Sequence, residues 1–180
     1  MTVDPRTSLI ASKIRNVPDF PKPGVQFKDI TPLVGDVEAL RTAVELLAEQ
    51  APAVDAVVGI ESRGFLFGAP LAMALGVGFV PVRKPGKLPG AVIEEAFDLE
   101  YGSSVLAMHT DALGQGHRVL LVDDLLATGG TLIAGAKLVT RLGAEIAGVQ
   151  VVVELADLLG RENLATAGLR NLVSLVTTTD

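Results

Sequence analysis

The sequence predicts an α/β fold, a mainly parallel twisted sheet flanked by helices. Short apolar runs recur along the chain, among them VDAVVGI ending at Ile60, RVLLV at 118–122 and IAGVQVVVEL at 146–155. The RVLLV run is apolar on both faces, as a central parallel strand requires. Stretches with helical spacing lie between the runs, and strands alternating with helices imply right-handed βαβ units covered on both sides.

Taken in order, residues 7–16 read as a short helix and 17–35, VPDFPKPGVQFKDITPLVG, as an irregular Pro- and Gly-rich arm. Asp36 is placed to cap a helix whose apolar stripe is Val37, Leu40, Val44 and Leu47. Gly64 to Val82 carries no charge over 19 residues, long enough for a membrane span. Its four glycines and two prolines favour instead a buried helix ending at Gly76 and a buried strand to Val82. Residues 91–109 alternate in polarity and predict an antiparallel hairpin. A helix from Thr131 to Leu142, with Leu132, Ala136, Val139 and Leu142 on one face, stops at Gly143.

The chain has 180 residues, enough for one domain with a sizeable core. Its 49% apolar and 20% charged residues exclude a disordered chain. Fifteen basic residues against twenty-one acidic ones give −6, which argues against nucleic-acid and anionic-membrane partners. With no cysteine, disulfides and thiolate metal sites are excluded. The N-terminal MTVDPRTSLIASKIRNV lacks a signal peptide's apolar core, so the expected location is cytoplasmic.

Chemistry concentrates in RVLLVDDLLATGGT, Arg118 to Thr131. Asp123 and Asp124 stand at the carboxyl end of a strand, where ligands bind in such sheets. Neighbours on a regular strand face opposite ways, so both carboxylates reach one ligand only if the strand is already giving way to a loop. Otherwise one of them serves the fold. Ala127, Thr128, Gly129, Gly130 and Thr131 then lead into a helix. Glycines let successive N–H groups face inward, and the helix N-terminus and two hydroxyls add to an anion cradle. The loop is neither a P-loop nor a G-x-G-x-x-G loop. Either it is a plain tight turn, or acidic and anion-binding halves together hold a sugar phosphate.

The run VLLVDDLLATGGT resembles the phosphoribosyl pyrophosphate motif of type I phosphoribosyltransferases. DFPKPGVQFKDITPL, GIESRGFLFG, VRKPGKLPG, DLEYG and GREN follow the order of the adenine-using family, over roughly Ile14 to Leu164. The resemblance implies that family's fold, as a single domain over 1–180 with an N-terminal hood (1–35) and a flexible loop and hairpin (83–109). It implies transfer of a phosphoribosyl group to N9 of adenine, giving AMP and pyrophosphate, with Mg2+ accompanying the pyrophosphate, and a homodimer.

By the same resemblance Asp123 and Asp124 hold the ribose hydroxyls and Ala127 to Thr131 the 5′-phosphate. Ser62 and Arg63 belong to the pyrophosphate loop, Arg63 offering a fork of donors. The alternative for Arg63 is a surface pair with Glu61. Arg83 contacts pyrophosphate, across a dimer interface, with Lys84 and Lys87 at the base of the hood; by composition alone this is a solvated basic loop. Glu100 and Tyr101 lie on a closing lid, and a neutral Glu100 there could donate to N7 of the purine. The competing reading of Glu100 is an ordinary hairpin carboxylate.

Val25 and Phe27 sandwich the base, the backbone of Val25 and Lys28 reads its edge, and Leu125 closes the slot, with Leu126 beside it unless both leucines are core. Lys28 stands where an arginine is common in relatives, a change tolerated if the contact is through the backbone. His109 and His117, the sole histidines, read as structural or solvated. A transferase for another base would place Lys or Asp close beside the cradle, where Leu125 and Leu126 precede it and Leu132 to Ala136 follow. A regulator that binds phosphoribosyl pyrophosphate as a signal usually needs a nucleic-acid-binding segment, which this acidic chain does not show.

Overall fold

The structure is a computed structural model, in which residues 4–98 and 103–179 are described. Helix α1 (Pro5–Ser12) is followed by strands β1 (Arg15–Pro18) and β2 (Gln26–Asp29), a short α2 (Thr31–Val34) and α3 (Val37–Glu49). Next come β3 (Ala56–Ile60), α4 (Phe65–Leu75), β4 (Gly78–Val82), β5 (Val92–Asp98) and β6 (Ser103–His109). The chain continues through β7 (Arg118–Leu126), α5 (Gly130–Arg141), β8 (Glu145–Leu155), a 3₁₀ turn (Ala156–Leu158), α6 (Gly160–Thr166) and β9 (Leu172–Thr178).

Five strands form a wholly parallel sheet in the order β4-β3-β7-β8-β9. Alternation along each strand divides its side chains between two cores. Val58 and Ile60 of β3, Val119 and Leu121 of β7, and Val149 and Val151 of β8 meet α5 on one side. Val57, Leu120, Val122 and Val152 meet α3 and α4 on the other. The chain leaves β3 through α4 toward β4, and leaves β7 through α5 toward β8 in the opposite sense. The two helices therefore lie on opposite faces, and the ends of β3 and β7 are a topological switch point where a crevice opens.

Several elements depart from the sequence reading. The first helix is Pro5–Ser12 rather than 7–16, its N–H groups capped by Asp4. The arm is not irregular throughout, because Arg15–Pro18 and Gln26–Asp29 pair as an antiparallel ladder. Asp36 does cap α3, accepting from Glu38 and Ala39. The buried face of α3, however, is Ala39, Thr42, Ala43, Leu46 and Leu47, while Val37 is 73% exposed. Alanines let α3 lie close to α4 and the sheet, so small size outweighs hydrophobicity in choosing the face.

The charge-free stretch divides where expected but is only partly buried, because α4 leaves Leu66 and Met73 exposed and β4 is an edge strand buried fully only at Val82. Helix α4 ends at Gly76 in the left-handed region (φ 70°), which suits glycine, and β4 follows. No helix among the described residues is long and apolar enough to cross a membrane.

The hairpin forms with Asp98 opposite Ser103. Its base is fixed by a backbone bridge between Arg83 and Ala107, by the Glu95–Lys137 ion pair (3.0 Å) and by Arg141 donating to the carbonyl of Glu94 (2.6 Å). Both histidines make local bonds: Nε2 of His109 donates to the carbonyl of Pro89, and Nδ1 of His117 accepts from the N–H of Gly114.

Candidate active site at the switch point

A cavity of about 450 Å³ occupies the crevice. Glu61, Ser62 and Arg63 line it from the loop after β3, and Asp123 to Leu132 from the end of β7 into α5. Leu158 completes the lining. The structure thus brings together Ser62 and Arg63, both aspartates, Leu125 and the whole of Ala127 to Thr131.

The two aspartates face the cavity although β7 remains a strand to Leu126, so the expected early breakdown of the strand does not occur. Pairing of β7 with β3 stops at Gly59–Val122. Pairing with β8 continues on the other side through Asp123, Leu125 and Leu126. Released on one edge, the end of β7 can present both carboxylates. They are buried, at 9% and 4% exposed, and the N–H of Asp124 donates to Oδ1 of Asp123 at 2.8 Å. Gly64 permits this approach, since a Cβ there would lie 2.6 Å from the carbonyl oxygen of Ile60 and 2.9 Å from Oδ1 of Asp123.

Burial pushes the Asp123 carboxyl well above the ordinary value of 3.8, and the neighbouring charge of Asp124 pushes it further. Burial also raises Asp124, against the opposing guanidinium of Arg63. The pair as a unit holds a proton to higher pH than a free carboxylate. Nε of Arg63 lies 3.0 Å from Oδ2 of Asp124, so its partner is not Glu61. This is an ion pair without hydrogen-bond alignment: Oδ2 is buried and accepts no hydrogen bond. A buried acceptor in that state is suited to a ligand hydroxyl or a hydrated cation.

The cradle is a bend from Ala127 to Gly129 that enters α5 at Gly130. Gly129 has φ 87°, a conformation that favours glycine, and no side chain caps the helix. The first-turn N–H groups, together with the helix dipole, are therefore available to an anion.

Phe27 joins the site through Arg63, whose guanidinium carbon lies 5.1 Å from the ring centroid. Phe20 packs edge-on against Phe27, centroids 5.0 Å apart. Val25 is half-buried, and Lys28 is buried, in β2 opposite Asn16. These three arm residues are not in the cavity wall, whereas Leu125 is. Leu126 both lines the cavity and is fully buried in the core.

Arg83, Lys84 and Lys87 also lie off the wall but are tied to it through Glu61. Glu61 accepts from Arg83 (3.2 Å) and from the N–H of Lys84 (2.8 Å), while Arg83 donates to the carbonyl of Lys87. Burial acts to raise the Glu61 carboxyl, but these donors outweigh it and hold it below its ordinary range. Lys84 and Lys87 are exposed. Glu100 and Tyr101 lie outside the described residues.

Sequence reasoning missed the back of the cradle. Asn163 of α6 donates to the carbonyl of Thr128 at 2.9 Å, and Gly160 lies against the carbonyl of Ala127. GREN was visible as a motif, but nothing local linked it to a loop so far back in the chain.

Residues 36–165 match the family model described as the phosphoribosyl transferase domain. A relative from Cutibacterium acnes named adenine phosphoribosyltransferase is 54% identical over 96% of this chain and 98% of its own length. The crystal structure of adenine phosphoribosyltransferase from Thermoanaerobacter pseudethanolicus superposes with TM-score 0.91 at 48% identity, covering 96% of this chain and 99% of that one. The Saccharomyces cerevisiae enzyme, complexed with D-2,5-dideoxy-2,5-imino-altritol 1,6-bisphosphate and adenine, gives TM-score 0.88 at 36% identity over 96% and 99% of the two chains. By this breadth of similarity the chain belongs to the adenine phosphoribosyltransferase family, with the type I phosphoribosyltransferase fold.

Proposed function

We propose that this chain transfers the 5-phosphoribosyl group of phosphoribosyl pyrophosphate to N9 of adenine, releasing pyrophosphate and AMP. The observation that carries it is the single cavity wall shared by two buried aspartates and an uncapped glycine cradle. One part suits hydroxyls and the other a phosphate. The yeast relative's complex with adenine and a bisphosphate supports the choice of base.

In this reading the N–H groups of Ala127 to Thr131 hold the 5′-phosphate. Asp123 and Asp124 accept from the ribose hydroxyls, and their negative charge faces the cationic ribosyl centre as the bond to pyrophosphate breaks. Ser62 and Arg63 hold the pyrophosphate. Arg63 bridges Asp124 and Phe27, and so joins the phosphoribosyl and base sites. Arg83, Lys84 and Lys87 supply positive charge at the rim, with Arg83 leaving Glu61 to reach the anion. Val25, Phe27, Lys28 and Leu125 form the base slot. Glu100 and Tyr101 belong to the lid that excludes water, Glu100 facing N7.

The donor set fits Mg2+ held mainly by substrate. Two carboxylates with one orphaned oxygen face the cavity, and no cluster of three His, Cys, Asp or Glu residues occurs among the described residues. Mg2+ commonly takes one or two carboxylates beside substrate phosphates and water. When bound it would offset the charge of the leaving pyrophosphate.

Incubation with Mg2+, phosphoribosyl pyrophosphate and a panel of bases tests the reading. AMP from adenine alone is expected. Nucleotide from guanine or xanthine instead would reassign the base, and binding without any product would favour the regulator.

The homodimer is supported by α4, which carries no charge and leaves Leu66 and Met73 exposed, Met73 at 84%. That face suits a second copy of the chain. Sedimentation is expected to give twice 18.7 kDa, with Met73→Glu shifting the population toward monomer. A wild-type monomer at micromolar concentration would contradict it. A cytoplasmic location suits a chain without cysteine, and fractionation beside a cytoplasmic marker checks it.

A further inference from the structure

We infer that Asn163 is a positioning residue for the 5′-phosphate: from behind the cradle it sets the direction of the backbone donors in front. The inference rests on the cradle reading above. The sequence Ala-Thr-Gly-Gly-Thr does not orient its own peptides, because Gly129 sits at φ 87° in a region where glycine moves freely. An outside constraint is needed, and α6 provides it.

The side-chain amide of Asn163 donates to the carbonyl of Thr128 at 2.9 Å. A trans peptide unit is planar, with C=O and N–H on opposite sides. Holding the Thr128 carbonyl back toward α6 turns the N–H of Gly129, in the same unit, the other way, toward the cavity that Gly129 lines. The preceding unit is confined by contact. The carbonyl of Ala127 lies against Gly160, where any Cβ would collide with it, and the N–H of Thr128 is turned forward.

Helix α6 is itself well anchored. Leu164 is fully buried. Nε of Arg161 donates to Glu154 of β8 at 2.8 Å, and the hydroxyl of Ser174 in β9 donates to the same carboxylate at 2.6 Å. A continuous set of contacts therefore runs from the edge of the sheet to the cradle. Asn163 is exposed, so its replacement can be read without loss of the core.

The test is calorimetric titration of the full chain with ribose 5-phosphate and, separately, with pyrophosphate. Asn163→Ala is expected to weaken ribose 5-phosphate roughly threefold to tenfold, the scale of one lost hydrogen bond. Pyrophosphate affinity, the melting temperature and KM for adenine should stay at wild-type values, while KM for phosphoribosyl pyrophosphate rises. Asn163→Asp, equal in shape but without the donor, should do no better than alanine.

Wild-type ribose 5-phosphate affinity in the alanine or aspartate variant would overturn the inference alone. Equal losses for both ligands would also overturn it, by showing a general disturbance. A wild-type chain that binds no ribose 5-phosphate would overturn the cradle reading and this inference with it.

Discussion

Asp123→Asn combined with Asp124→Asn is expected to lower kcat by about 10²–10³-fold while the fold is retained. The amide keeps the shape of each side chain and removes its charge. Both groups line the cavity and are nearly closed to solvent, so their charge acts on the ribosyl centre with little screening.

The same substitution should help stability, and the direction depends on pH. The folded Asp123 carboxyl titrates above its ordinary value of 3.8, because burial and Asp124 disfavour its ionised form. A group raised in this way stabilises the fold fully below the unfolded value, and that contribution is lost as pH rises through the folded one. At neutral pH the native pair therefore carries a cost that the double variant lacks. Melting temperatures should favour the variant increasingly as pH rises above about 4, the range in which a free carboxylate ionises. Unchanged turnover would remove the aspartates from the reaction, and a constant melting difference would contradict the burial cost.

Gly64→Ala should damage both the fold and the reaction. Gly64 has φ −59°, which any residue adopts, so backbone freedom is not at issue. Gly64 is the N-cap of α4, a position where glycine is preferred to alanine. Space decides further against the substitution. The added Cβ would lie 2.6 Å from the carbonyl oxygen of Ile60, 2.9 Å from Oδ1 of Asp123 and 3.0 Å from the carbonyl oxygen of Val122. Two of these atoms belong to the backbone of adjacent central strands and cannot turn aside. The substitution should destabilise by about 1–3 kcal/mol, as overpacking does. It should also push Asp123 out of place and lower kcat/KM by about tenfold or more. Chemical denaturation and steady-state kinetics read the two effects, and a variant matching wild type in both would refute the close approach.

The features legible in the sequence were those written locally. RVLLV, the glycine stop at Gly76 and the alternation of 91–109 depend on neighbours within a few residues. The candidate site was legible as far as its chemistry lies in continuous motifs, of which the fold gathers Glu61 to Arg63 and Asp123 to Thr131 at one crevice. What was missed depends on distant partners. Arg63 has a carboxylate two residues away, yet the strand order sets it against Asp124. Helix α6 is seven residues long and shows no stripe, so its backing of the cradle emerges only when α5 and α6 pack. Strand β9 went unassigned because its residues are mixed in polarity, as suits a sheet edge. The face of α3 was misjudged because apolar spacing ranks Val37 above Ala39, whereas close packing selects the smaller residue.

The central claim is that the two halves of RVLLVDDLLATGGT hold the two ends of one ribose phosphate. A crystal structure of the protein with AMP tests it most directly. The account predicts the 5′-phosphate on the backbone N–H groups of Ala127 to Thr131, and the ribose hydroxyls within hydrogen-bond distance of Asp123 and Asp124. A phosphate seated instead on Ser62 and Arg63, with the ribose turned away from the aspartates, would contradict it.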